Sequence, residues 1–113
     1  MSDESDGNLI AEILDAAERV KTYISADGQD GFMKQDLVYD GVCMNLLRIG
    51  ECARFLSDDT KALMPTIPWP DLVNLRNRVA HSYETLRPAV LWLIASKSLP
   101  ELGEALIRLE DTD

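Results

Sequence analysis

The sequence is poor in the residues from which most sites are built. It has one histidine, two cysteines, few aromatics (6%) and no apolar run of membrane length. Cys43 and Cys52 lie nine apart in what reads as one helix, so at about 100° per residue they point to opposite sides and cannot bridge each other. Neither has the CxxC or Cys/His spacing of a zinc site. Scarce aromatics suit Leu, Ile, Ala and Val helix packing better than an aromatic-rich β-sandwich. The polar, acidic start MSDESDGN is not a signal peptide, and a reducing cytoplasm fits the unpaired thiols. Positive charge is also scarce: 11 Lys and Arg face 20 Asp and Glu, a net charge of −9. Such a chain repels a polyanion at long range, which excludes broad electrostatic binding to DNA or RNA. Nucleic-acid chemistry would need a local cationic pocket or a partner.

What is present is helical periodicity. With 113 residues, one domain is expected over residues 8–110 behind a frayed acidic tail, residues 1–7. From Asn8, a candidate N-cap, Ile10, Ile13, Leu14, Ala17, Val20 and Ile24 fall at helical spacing. ADGQDG breaks that helix. Val38, Val42, Leu46, Ile49, Ala53 and Leu56 then form a heptad-like stripe that wants a nearly antiparallel neighbour. Ser57-Asp58-Asp59 caps a short turn through Leu63. The prolines of PTIPWP predict an extended connector around Trp69. A helix from Asp71, with Leu72, Val73, Leu75, Val79 and Ala80 inward, ends before Arg87. Thr85 is a candidate cap for the next segment, with Pro88 in its first turn and Val90, Leu91 and Ile94 continuing it. SLPE restarts a last helix carrying Leu99, Leu102, Leu106 and Leu109. The pattern predicts an all-α fold, an antiparallel bundle of four or five main helices.

Against the acidic background, LRNRVAHSYETLRP (Leu75 to Pro88) gathers three of the seven arginines and the sole histidine, with a tyrosine two places further on. Asn77 and His81 are four apart and share a helix stripe; Arg78, three from His81, can also lie near it. Arg76 and His81 are five apart, about 140° round an ideal helix. A proton shuttle, fixed cations, an amide and a phenol meet the needs of phosphodiester cleavage without a metal. Histidine, with an unperturbed pKa near 6.5, can move the protons of the attacking 2′-hydroxyl and the leaving 5′-oxygen. Guanidinium groups stabilise the charge that builds on the phosphoryl oxygens. One histidine makes half of an acid–base pair, and a symmetric dimer would bring the second. Taken alone, RxxxxH is a weak motif: a lone histidine near a helix end is more often a cap or surface group, and Arg76 and Arg78 can equally pair with Asp71, Glu84 or the acidic first helix.

The ordered set goes further. Trp69, RNRVAHSY with Arg76, Asn77, His81 and Tyr83, then Val90 and Trp92, resembles the HepT-like branch of the HEPN superfamily, the DUF86 proteins. NLLRIGECARFL, with Ile49-Gly50-Glu51 and Ala53, resembles an earlier helix of that family, and the likeness runs from about Leu9 to Leu109. It implies a HEPN-like dimerising bundle and a metal-independent endoribonuclease toxin of a toxin–antitoxin pair, with no cofactor. Arg76 and His81 would be catalytic, Asn77 and Arg78 supporting, and Tyr83 the acceptor of AMP from a minimal nucleotidyltransferase antitoxin. The implied partners are RNA, a second copy of the chain and that antitoxin, with neither membrane nor DNA. AMP would add bulk and negative charge beside the cationic groove. Glu84 stands where relatives often carry an aromatic. With the acidic surface, it keeps open an alternative, a non-catalytic subunit that binds a nucleotidyltransferase or a nucleotide. Glu51 could face the cleft, or serve as a helix-surface or core hydrogen-bonding group.

Overall fold

A computed structural model describes residues 4–26, 28–85 and 88–111, with the side chains of residues 4, 5, 82–85, 88, 90 and 109–111 outside that description. The elements run α1 (Glu4–Ser25), α2 (Gly28–Lys34), α3 (Asp36–Phe55), α4 (Asp58–Ala62), α5 (Trp69–Val73), α6 (Leu75–Thr85), α7 (Pro88–Leu93), a π-helical turn (Ile94–Ser98) and α8 (Leu99–Asp111). Among the described residues every element is helical, as the apolar spacing predicts. Four long helical segments, α1, α3, α6 and the α7-to-α8 stretch, form the frame, and none is long and apolar enough to cross a membrane.

The two longest helices run antiparallel. Asp6, near the start of α1, meets Ser57 just past the end of α3, whereas the Tyr23 ring near the end of α1 lies over Gly41 near the start of α3. Their stripes interlock as Ile13 and Val20 against Val42, Leu46 and Ile49, and Leu91 and Leu106 close the core from the other side, all fully buried. Each such side chain contributes roughly 1.5–3 kcal/mol by leaving water. A polar seam locks the register. Arg48 of α3 donates to Glu12 at 2.7 Å and Asp15 at 3.3 Å on α1, and to Asn45 Oδ1 at 2.9 Å. Part of the acidic first helix is therefore an inter-helix clamp.

Five features differ from expectation, each with a physical cause. The first helix begins at Glu4, not after Asn8, so the tail expected over residues 1–7 is helical from its fourth residue. Asp6 explains this. It is 4% exposed, and its carboxylate accepts from the Ser57 N–H at 3.1 Å, the Ser57 hydroxyl at 2.5 Å and the Thr60 hydroxyl at 2.6 Å. Those hydroxyls, Ser57 first, pull the Asp6 pKa below the ordinary carboxylate value. Ser57 also accepts the Thr60 N–H and so caps α4.

After α1, Gly28 takes φ +59°, a left-handed conformation open to glycine at no steric cost. The glycine-rich break then winds into α2, whose Phe32 is buried against Tyr39 and Trp92 at ring-centroid distances of 5.3 and 5.5 Å. The extended connector expected over PTIPWP ends at Pro68, because Trp69 starts α5. Its indole N–H donates to the Lys61 and Met64 carbonyls, both at 3.1 Å, and Pro70 sits in the first turn, where no N–H is needed. The single helix expected from Asp71 is divided at Asn74 (φ −82°, ψ 1°), which ends α5 before α6 begins.

The last helix does not restart at SLPE. The chain passes from α7 through the π turn into α8, with the Leu99 N–H reaching back five residues to Ile94 O. Pro100 supplies the cause: it has no N–H for the Ser96 carbonyl, and in regular α geometry its ring would strike that oxygen. Cys43 is buried and Cys52 half-buried, and no disulfide joins them. The Val90 and Leu109 side chains and the Thr85 cap fall outside the described side chains.

Candidate functional site

The site is set by how closely α6 approaches α3, and Gly50 fixes that distance. A Cβ at Gly50 would lie 3.2 Å from Leu72 O, 3.3 Å from Leu75 Cβ and 3.5 Å from Arg76 N. The missing side chain thus lets the α5–α6 backbone rest on α3, and the residue it rests beside is Arg76. Leu75 and Val79, one turn apart and 2% and 3% exposed, fasten α6 to the core. The opposite arc carries Arg76, Asn77, Ala80 and His81, all exposed.

That arc answers the 140° between Arg76 and His81 on an ideal helix. The two residues stand at the edges of one solvent-facing surface, with Ala80 and Asn77 between them. Asn77 Nδ2 donates to Asn74 Oδ1 at 2.9 Å, tying the motif amide to the break before α6. Arg78 is half-buried. Tyr83 lies in the span of α6 two residues past His81, but its side chain, like those of Glu84 and Arg87, falls outside the description.

Among the described residues Arg76 pairs with neither Asp71 nor the first helix. Its Nη1 lies 3.9 Å from Glu51 Oε1 on α3, and the same oxygen lies 3.5 Å from Arg54 Nη1. Glu51 is 43% exposed, which settles its position: it belongs to the surface of the site and not to the core. The trio of Arg54, Glu51 and Arg76 sums to 2 − 1 = +1 in a chain of −9. Glu12 and Asp15 of α1 are held elsewhere by Arg48 and Arg19; Asp15, bonded to Arg19 at 2.9 Å, has its pKa lowered first by that bond. Arg54 and its neighbour Phe55 were not singled out from sequence. The available signal was the three-residue step from Glu51 to Arg54, which puts both on one helix face. Among the described residues no three His, Cys, Asp or Glu side chains cluster as a metal site requires.

Chemically, the arc offers a guanidinium for an anionic oxygen and an imidazole that can take and return a proton, both open to a large substrate. Residues 13–109 match the family described as ribonuclease HepT-like. A protein of Methanocaldococcus jannaschii, provisionally named an RNase, is 27% identical over 83% of this chain and 86% of its own length. A protein of Thermococcus cleftensis, provisionally named ribonuclease HepT, is 26% identical over 87% of this chain and 89% of its own. A third, from Caldanaerobacter subterraneus subsp. tengcongensis and provisionally named an RNase, is 24% identical over 84% and 81%. No solved structure matches the chain significantly.

Proposed function

Because this chain belongs to the ribonuclease HepT-like family, we propose that it is a metal-independent endoribonuclease toxin acting through Arg76 and His81. One observation carries the reading: the α6 segment RNRVAHSY presents Arg76, Asn77 and His81 together on its solvent face, while Leu75 and Val79 hold the opposite face in the core. In the proposed reaction the 2′-oxygen attacks the adjacent phosphorus and loses its proton to an imidazole. The bond to the 5′-oxygen breaks, and that oxygen takes up a proton. The products are a 2′,3′-cyclic phosphate and a 5′-hydroxyl. Arg76 stabilises the phosphoryl oxygens as charge builds on them, and Asn77 and Arg78 support it. A homodimer that apposed two α6 arcs would supply His81 twice, one copy as base and one as acid.

Control would come from a small nucleotidyltransferase that transfers AMP from ATP to the Tyr83 hydroxyl, releasing pyrophosphate and adding a phosphodiester charge to the motif helix. A second reading, a non-catalytic subunit that docks such a transferase, draws on the Glu51 carboxylate beside Arg76, which competes for the guanidinium.

The deciding experiment measures RNA cleavage and growth arrest for His81→Ala and Arg76→Ala, with helicity followed by circular dichroism. Loss of both activities in folded variants supports the nuclease, and cleavage persisting in both removes it. Mass spectrometry of the protein co-expressed with a neighbouring transferase gene looks for AMP on Tyr83. AMP on a wild-type protein that cuts no RNA selects the second reading.

A further inference from the structure

The last turn of α3 carries a surface that the Arg76–His81 chemistry does not use. Phe55 is 63% exposed, an unusual place for a phenylalanine, because its neighbour Leu56 is drawn into the core at 4% exposure and turns Phe55 outward. The Arg54 guanidinium carbon lies over the Phe55 ring, 5.1 Å from its centroid. On its other side Arg54 meets Glu51, which also meets Arg76. Phe55, Arg54, Glu51 and Arg76 therefore form one unbroken chain of contacts from an exposed aromatic ring to the motif arginine of α6.

We infer that Arg54 and Phe55 form a nucleotide subsite that takes the phosphate adjoining the scissile one, and the base beyond it, in single-stranded RNA. This rests on the ribonuclease reading. An exposed ring beside a guanidinium is the pairing that single-stranded nucleic acid uses: the base stacks on the ring or on the guanidinium plane, and the adjoining phosphate takes the cation. Charge complementarity selects an anionic strand, because Arg54 and Arg76 outnumber the carboxylate between them. Glu51 has a positioning role here. By facing both arginines it spaces two cations along a surface where they would otherwise repel, one for the scissile phosphate and one for its neighbour. The subsite requires no base-specific contact, so it favours strand length over sequence.

The test compares cleavage of a dinucleotide, too short to reach α3, with cleavage of a single-stranded octanucleotide. Fluorescence anisotropy of a 2′-O-methyl octanucleotide, which lacks the attacking hydroxyl, reads binding without turnover. Arg54→Ala and Phe55→Ala should each weaken octanucleotide binding and kcat/KM by about 5-fold or more and leave dinucleotide cleavage unchanged. Phe55→Trp should retain octanucleotide affinity. Equal losses on both substrates, no loss on either, or a changed oligomeric state of Phe55→Ala by light scattering would overturn the subsite, the last making this face a protein interface. If the wild-type protein binds the octanucleotide through Arg54 and Phe55 but cuts neither substrate, the nuclease assignment falls while the subsite stands. If it binds no RNA, both fall.

Discussion

Replacing Gly50 with alanine tests the seam that positions Arg76. Gly50 is buried within α3, so alanine there gains about 0.5–1 kcal/mol of helix propensity. Against that gain, the new methyl would sit 3.2 Å from the Leu72 carbonyl oxygen and 3.3 Å from Leu75 Cβ. Neither atom can rotate aside: one belongs to the backbone and the other is bonded directly to it. The whole α5–α6 segment must move by a few tenths of an ångström, and overpacking of this kind costs about 1–3 kcal/mol. The difference predicts a net destabilisation of about 0–2.5 kcal/mol. Gly103→Ala in α8 is the control. It adds the same methyl to a helix with nothing within 4 Å and should stabilise by about 0.5–1 kcal/mol. Guanidinium denaturation of the three proteins, compared at similar m-values, reads both changes on one scale. If Gly50→Ala proved as stable as Gly103→Ala, the helices would not be in the tight contact on which the placement of Arg76 depends.

Other outcomes follow from individual side chains. Asp6→Asn should cost about 1.5–3 kcal/mol at neutral pH, the range for hydrogen bonds to a charged group, because it replaces a carboxylate that accepts from Ser57 and Thr60. Since the folded-state pKa of Asp6 is lowered from 3.8, its contribution is complete above that value and fades as pH falls through the depressed one. Thermal melts of wild type and variant should therefore converge in acid, and a constant gap would contradict the assignment. Tyr39 should titrate late, near a pKa of about 12, chiefly because burial disfavours its anion. Its contribution is present below pH 10 and lost as pH rises from there through about 12, so ultraviolet difference spectra should show a late phenol ionisation that is absent from Tyr39→Phe. For the proposed chemistry, Arg76→Ala should lower kcat by about 10²–10³-fold, as the removal of one oxyanion-stabilising donor does, and a loss confined to KM would make Arg76 a binding residue.

The parts of the fold legible in sequence are those set by repeating apolar spacing. The stripe from Val38 to Leu56 lies inward along α3, and its demand for an antiparallel partner is met by α1. What spacing could not show were features that depend on one contact far away in the chain. Asp6 reads as tail because Ser57 and Thr60 lie more than fifty residues beyond it. The prolines misled in both directions. Pro70 lies inside a helix because it falls in the first turn, and Pro100 bends the register into a π turn without stopping the helix. At the site, the motif placed Arg76, Asn77 and His81 on α6, but ideal helix geometry set Arg76 and His81 on different stripes. That they share one exposed face depends on which face the core claims, and Leu75 and Val79 decide it. Arg54 and Phe55 stayed hidden because an arginine and a phenylalanine at a helix end carry no pattern until Glu51 and α6 come alongside.

The disposition of charge reconciles a net of −9 with an anionic substrate. Coulomb attraction at the distance of a bound phosphate depends on the groups within a few ångströms, whereas the net charge governs approach from beyond roughly 10 Å, where salt screens it. Glu12 and Asp15 are engaged by Arg48 and Arg19 on the α1–α3 seam. Glu51, the acid placed at the α3–α6 seam, is matched by two arginines. A phosphate seated between Arg76 and His81 would replace Glu51 as the partner of Arg76. In the proposed reading such a surface would draw RNA weakly from solution and hold it locally, so the length of strand in contact with α3 and α6, and not the overall charge, would set its affinity.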